Sequence, residues 1–91
     1  MVKVELEVLP PLSRSFKFKE LIVDVKDKNL SNLLKVIKER TEGQLPVEDD
    51  GYPSPGYIML MNGIDVRILL REEPKVEDKI KLTIIPVNHG G

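Results

Sequence analysis

The residues with the clearest chemical potential are the last two, Gly90 and Gly91. A C-terminal glycine presents a free carboxylate, and two residues without a Cβ form a peptide narrow enough to enter a tunnel in another protein. The apolar run before them contains Pro86, which cannot donate a backbone hydrogen bond to a neighbouring strand. We therefore predict that residues 87–91 form a flexible tail with the Gly91 carboxylate as its reactive group.

Little else in the sequence offers chemistry. The chain has no cysteine, which excludes a disulfide framework, a thiolate metal site and a cysteine nucleophile. The acidic run from Glu48 to Asp50 lacks the spacing of an EF-hand calcium loop. The sequence also contains no Walker loop, no Ser-His-Asp arrangement and no metal-ligand cluster. We therefore expect no metal site, no cofactor bound by this chain and no enzymatic activity of its own.

Length and charge narrow the class of protein further. The chain has 91 residues, enough for one domain with one core. Its formal net charge of −1 gives no broad positive field for a nucleic acid, so DNA binding is not expected. Since no apolar stretch has the length of a signal peptide or a membrane span, we expect a cytoplasmic protein that does not bind membranes.

The first third of the chain predicts a β-hairpin. From Val2 to Leu9, apolar and charged residues alternate strictly, as in a strand with one buried face. A second apolar run follows, in which the parity of the apolar positions changes between Phe18 and Leu21. This slip predicts a bulge or a break near Lys19 and Glu20.

The middle of the chain predicts one helix and one loop. Apolar residues recur at the helical spacing i, i+3, i+4 and i+7, at Leu30, Leu33, Leu34 and Ile37. Asn29 or Ser31 can cap the start of this helix, and Gly43 can end it. Residues 43–56 hold three prolines and three glycines without any periodicity, which predicts a long, mobile loop.

The last third predicts three more strands. Tyr57 to Met61 and Ile64 to Leu70 are β-like runs joined by Asn62-Gly63, the dipeptide that favours a type I′ hairpin turn. Ile80 to Ile85 forms the last strand. Because the helix lies in the crossover, we expect this strand to run parallel beside the first one. The fold class is therefore α+β, with residues 1–86 forming a mixed sheet and one main helix packed on one face.

At this point the chain resembles the ubiquitin-like sulfur carriers, which have the β-grasp fold. The resemblance rests on three features: the segment 57–70 with its Asn-Gly turn, the turn at 77–79 that leads into 80–86, and the terminal Gly90-Gly91. It covers essentially the whole chain, and its most specific part is the last third.

Different parts of the tail resemble different branches of this family. Residues 84–87 are similar to the small subunit of molybdopterin synthase (MoaD) and to the thiamine sulfur carrier ThiS, whereas residues 89–91 are more like the eukaryotic ubiquitin-related modifier. The chain departs from the family at Asp78 and Lys79, where the turn before the last strand usually has a glycine.

The resemblance implies a carrier protein that another enzyme activates. A ubiquitin-activating-type adenylyltransferase would use ATP and Mg to convert the Gly91 carboxylate to an acyl-adenylate, and a sulfur donor would then displace AMP to leave a thiocarboxylate. We expect the sulfur to be used for molybdopterin, with a molybdopterin synthase large subunit as a further partner. The alternatives are tRNA thiolation, transfer to a thiazole precursor or attachment to lysines as a protein modifier. An outside alternative is a non-covalent β-grasp interaction domain.

Two sets of residues are expected to contact the activating partner. The partner would read the tail through Val87, Asn88, His89 and Gly90. An exposed apolar patch on the open sheet face would provide the docking surface, formed by Ile85 and Val87 with either Ile58 and Leu60 or Met59 and Met61. The competing interpretation is that the loop at 43–56 folds over this face.

Overall fold

The computed structural model describes residues 1–26 and 28–87, and the strands in this part form one mixed sheet. The strands are β1 (Val2–Val8), β2 (Glu20–Val23), β3 (Tyr57–Met61), β4 (Ile64–Asp65) and β5 (Lys79–Pro86), and the α-helices are α1 (Leu30–Arg40) and α2 (Val66–Glu72). Their order in the sheet is β2-β1-β5-β3-β4, and β5 runs parallel to β1. The predicted fold class and the predicted place of the last strand are both confirmed.

The first hairpin forms as its alternation predicts. Val2, Val4 and Leu6 are buried, and β1 pairs with β2 in antiparallel register up to Glu5 opposite Glu20. The strand β2 begins at Glu20, so the aromatic residues before it lie outside the ladder. The predicted break in the register is therefore confirmed.

The helix α1 packs its predicted apolar face against the sheet. Leu30, Leu33, Leu34 and Ile37 are all at most 1% exposed. The side chain of Asn29 accepts a hydrogen bond from the Asn32 N–H at 3.2 Å, as an N-cap residue does. At the other end, the Gly43 N–H donates to the Lys38 carbonyl at 2.8 Å with φ at 81°. The left-handed residue directly after the cap Thr41 is Glu42, with φ at 56°, so the predicted glycine stop is confirmed only as the residue that closes the last turn.

The segment 43–56 packs against α1 and not over the open face of the sheet. Its side chains Leu45 and Val47 belong to the core, at 1% and 2% exposure. A Cβ added to Gly51 would lie 2.9 Å from the carbonyl oxygen of Ser31, at the start of α1. The interpretation in which this loop covers the open face is therefore wrong, while its mobility and the domain bounds stay predictions.

The prediction of a strand from Ile64 to Leu70 is wrong beyond Asp65. The type I′ turn forms as expected, with φ at 51° for Asn62 and 85° for Gly63. The chain then enters the helix α2, because the side chain of Asp65 caps it by accepting from the Arg67 N–H at 2.8 Å. The apolar residues of this run also suit a helix, with Val66 and Leu69 buried on one face.

The helix α2 ends on a glutamate in a conformation that favours glycine. Glu73 has φ at 48° and ψ at 53°, and its N–H donates to the Leu69 carbonyl at 3.0 Å. Because glycine adopts this conformation without a Cβ penalty, Glu73→Gly should raise the free energy of unfolding by about 0.5–1 kcal/mol. The measurement is urea unfolding followed by circular dichroism.

Glu72→Gly is the matched control for this substitution. It places the same new residue at the last helical position, where it should lower the free energy of unfolding by about 0.5–1 kcal/mol. A loss of stability in Glu73→Gly equal to that in the control would contradict the assignment of Glu73 as the cap.

The turn before β5 forms without the glycine that ubiquitin-like sulfur carriers usually have at this place. No residue from 77 to 79 has a positive φ, so side chains fit there. The Asp78 carbonyl accepts from the Lys3 N–H at 2.7 Å, which joins the turn to β1. The Asp78 carboxylate also lies 2.6 Å from the Lys28 Nζ, and this hydrogen bond, followed by the lysine charge, lowers the pKa of Asp78.

This pair should make stability depend on pH in acid. Since the pKa of Asp78 is lower in the folded than in the unfolded chain, the pair stabilises the fold above the unfolded pKa. That stability is lost as the pH falls through the folded pKa. Thermal unfolding between about pH 6 and about pH 2 should therefore show a smaller acid-dependent loss in Asp78→Asn than in the wild type. An equal change in Glu77→Gln, whose carboxylate makes no ion pair within the described residues, would contradict this assignment.

Candidate functional site

The structure decides which side of β3 faces the core. Met59 and Met61 are 0% and 7% exposed and lie among the core residues, whereas Ile58 is 36% exposed and Leu60 is half-buried. The assignment of Met59 and Met61 to the partner surface is therefore wrong, because their parity directs them to the helix-covered face. The other pair, Ile58 and Leu60, remains as the candidate partner surface.

An apolar patch lies on the open face at one end of the sheet. Ile58 sits directly opposite Ile85 in the antiparallel ladder, and Leu60 sits opposite Thr83. Val87 has the same parity as Ile85 and is half-buried. We call Ile58, Leu60, Ile85 and Val87 the tail-side patch, because it lies at the end of β5 from which the tail begins.

Leu9 borders the tail-side patch, and the sequence reasoning did not include it. It follows the last residue of β1, and its N–H donates to the Ile84 carbonyl at 3.1 Å. The side chain is 37% exposed. Leu9 lies one residue beyond Val8, which pairs with Ile84. Only this strand register, and no pattern in the sequence, places Leu9 near the tail-side patch.

The other half of the open face carries ion pairs, and Ile22, opposite Lys3 in the ladder, is 58% exposed there. Lys3 and Glu20 form an ion pair at 3.0 Å, and Lys81 and Glu7 form another at 3.0 Å. The hydrogen bond with Glu7, and then the charge of this carboxylate, raise the pKa of Lys81. The ion pairs of the open face thus lie around the start of β5, and the tail-side patch lies around its end.

The start of the tail is held by a backbone contact. The Val87 N–H donates to the Gly56 carbonyl at 2.8 Å, directly after Pro86, which pairs with Tyr57. Gly56 has φ at 91°. The sequence reasoning assigned Gly56 only to the loop, because nothing in the sequence relates it to Val87.

The remaining predicted tail residues, Asn88, His89, Gly90 and Gly91, lie outside the described residues. The predicted roles of these residues therefore stay predictions.

Residues 1–26 and 28–87 contain no group of three or more histidine, cysteine, aspartate or glutamate side chains placed to hold a metal ion. No helix in this part of the chain is long and apolar enough to cross a membrane.

Known structures share this architecture. Neither a protein-family model nor a curated protein sequence matches the chain. SAMP1 from Haloferax volcanii matches with a TM-score of 0.69 at 18% identity, over 98% of this chain and 99% of that one. Urm1 from Sulfolobus solfataricus matches with a TM-score of 0.62 at 28% identity, over 93% of this chain and 99% of that one.

The chain has the β-grasp fold of ubiquitin-like proteins. A second structure from Haloferax volcanii, described as small archaeal modifier protein 1, also matches, with a TM-score of 0.65 at 17% identity over 97% of this chain and 100% of that one. The resemblance to ubiquitin-like carriers and modifiers that the sequence suggested is thereby confirmed.

Neighbouring substitutions on β3 should separate its two faces. Met59→Ala removes a fully buried side chain and should lower the free energy of unfolding by about 2–5 kcal/mol. Ile58→Ala, on the exposed side, should lower it by about 1 kcal/mol or less. Urea unfolding of both variants checks this, and equal losses would contradict the assignment of the faces.

Proposed function

We propose that this protein is a ubiquitin-like carrier that a partner enzyme activates at the Gly91 carboxylate. The observation that supports this most strongly is the position of Val87, the residue from which the tail continues. The last four residues of the sequence follow Val87, which belongs to the partly exposed tail-side patch and is hydrogen-bonded at the end of the central strand β5. A partner that docks on the patch would therefore meet the tail at its first residue.

The proposed reaction explains why a terminal carboxylate needs a partner. A carboxylate is a poor electrophile until one of its oxygens becomes part of a leaving group. Attack of the Gly91 carboxylate on the α-phosphorus of ATP releases pyrophosphate and forms an acyl-adenylate, while the Mg bound with the nucleotide balances the phosphate charge. A donor of sulfide-level sulfur then displaces AMP and leaves a thiocarboxylate. This chain supplies the reacting group, and the partner supplies the catalysis.

The partner surface follows from the same proposal. A ubiquitin-activating-type adenylyltransferase would cover the tail-side patch and take the tail into a narrow tunnel, reading Val87, Asn88, His89 and Gly90. An apolar centre with a charged rim is the usual composition of such an interface. The ion pairs of the open face, Lys3–Glu20 and Lys81–Glu7, would lie at that rim. The activation of Gly91 by this partner would take place in the cytoplasm.

We propose a molybdopterin precursor as the sulfur acceptor to test first. The similarity of residues 84–87 to the small subunit of molybdopterin synthase supports this choice. A large subunit that binds the same tail would then be the second partner. The test is sulfur transfer from the thiocarboxylate form to the precursor, and no transfer in the presence of a matching large subunit would contradict this acceptor.

A second candidate is attachment to proteins as a modifier, or sulfur transfer to tRNA. The name of one similar structure, small archaeal modifier protein 1, favours attachment as a modifier. In the modifier route, a lysine amine attacks the Gly91 carbonyl of the acyl-adenylate, forms an isopeptide bond and releases AMP and a proton. Because Lys81 is the last trypsin site in the chain, trypsin would leave residues 82–91 on each modified lysine, and mass spectrometry should search for that remnant.

Removal of Gly90 and Gly91 tests the proposed function. The shortened chain should lose ATP–pyrophosphate exchange with the activating enzyme, because its reactive carboxylate no longer reaches the nucleotide. It should keep the unfolding midpoint of the full chain, since the core lies within residues 2–84.

A chain of full length with a C-terminal amide at Gly91 is the matched control for tail length. It also should show no exchange, because it lacks the carboxylate. Exchange that persists in the shortened chain would contradict activation at Gly91.

A further inference from the structure

The backbone contact at the start of the tail joins two segments that are far apart in sequence. The Val87 N–H donates to the Gly56 carbonyl at 2.8 Å, one residue beyond the paired Pro86 and Tyr57. The β-ladder that holds β5 against β3 is thus extended to the last described residue. We call this hydrogen bond the tail anchor.

The acceptor side of the tail anchor is itself held in place. The Tyr57 N–H donates to the Ser54 carbonyl at 3.3 Å, and the Tyr57 carbonyl accepts from the Arg67 guanidinium at 3.3 Å. Gly56 has φ at 91°, where residues with a side chain are strained. A Cβ there would meet no atom within 4 Å, so the demand for glycine comes from the backbone conformation and not from crowding.

The tail anchor sets the reach of the reactive carboxylate. With Val87 fixed, four residues remain before the end of the sequence. At about 3.3–3.6 Å per extended residue, they span about 14 Å. Fixing Val87 before binding also removes part of the ordering cost that a partner would otherwise have to offset.

We propose that the tail anchor is a positioning contact for activation, which presents a four-residue tail to a tunnel of matching depth in the adenylyltransferase. Gly56 and Val87 are positioning residues, since neither touches the reacting atoms. This inference rests on the proposed function and adds to it the depth of the partner's tunnel and the geometry at its mouth.

Val87→Pro removes the donor of the tail anchor. Pro86 lies in an extended strand, which is the conformation that a following proline requires. Val87→Ala is the matched control, because it loses the same side chain but keeps the N–H. In ATP–pyrophosphate exchange, we expect the KM for Val87→Pro to exceed that of Val87→Ala by about tenfold, a typical effect of one lost hydrogen bond, with similar kcat. Both variants should unfold cooperatively, with the midpoint of Val87→Pro lower by less than about 10 °C, the effect of one lost hydrogen bond, which separates positioning from a loss of fold.

Equal KM values for the two variants would overturn the positioning role. The proposed function would still stand in that case, provided that the wild-type chain is activated and the chain without Gly90 and Gly91 is not. If the wild-type chain itself shows no exchange, the proposed function fails first.

A one-glycine insertion between Val87 and Asn88 tests the reach without removing the anchor. It lengthens the tail by about 3.5 Å and should lower kcat at least tenfold, because the carboxylate no longer meets the α-phosphorus of ATP. An unchanged kcat would show that the tunnel does not measure tail length, and it would overturn the proposed depth.

Hydrogen exchange of the Val87 amide gives a readout that needs neither a variant nor a partner. In the free wild-type chain, this amide should exchange more slowly than its intrinsic rate, because it is bonded to the Gly56 carbonyl. Exchange at the intrinsic rate would overturn the tail anchor itself, whatever the activity of the variants.

Discussion

The pairing of β5 between β1 and β3 is the constraint on which the rest of the structure depends. A parallel neighbour cannot be reached by a tight turn, so the chain between β1 and β5 must cross the sheet, and α1 lies in that crossover. Because β5 lies between β1 and β3, both of its edges are hydrogen-bonded. Its residues Ile80, Leu82 and Ile84 are buried in the core. The tail therefore continues the central strand of the sheet and starts from a fixed point.

The side chains of β5 alternate between the two faces of the sheet, so that one face packs in the core and the other is available to a partner. The even-numbered residues from Ile80 to Ile84 face the core, and the odd-numbered residues of β5 face the open side, where Lys81 is ion-paired and Ile85 joins the tail-side patch. An exposed apolar patch on a small domain is a common mark of a docking surface. Its position at the tail end of β5 connects the surface that a partner would bind with the group that it would activate.

The sequence predicts best the features that depend on neighbouring residues. The strict alternation of β1, the helical spacing in α1 and the Asn62-Gly63 turn each identify a local conformation, and each is confirmed. The prediction for the run from Ile64 to Leu70 is wrong because a short apolar segment fits both the helical and the strand spacing of apolar residues. The cap at Asp65 favours a helix after two strand residues. Likewise, parity separates Met59 from Ile58, but only the position of α1 shows which of them faces the core. The tail anchor joins Gly56 to Val87, a contact between distant segments that no local pattern encodes.

The measurement that tests the central claim most directly is the intact mass of this chain, isolated from its own cells, before and after treatment with an alkylating reagent. The reagent is essential, because oxidation of one of the three methionines adds nearly the same mass as the exchange of an oxygen for a sulfur. The account predicts a fraction of the chain that carries sulfur in place of oxygen and is alkylated at Gly91 alone. The account would be contradicted by a plain carboxylate in every molecule, together with the absence of a remnant of residues 82–91 on the lysines of other proteins.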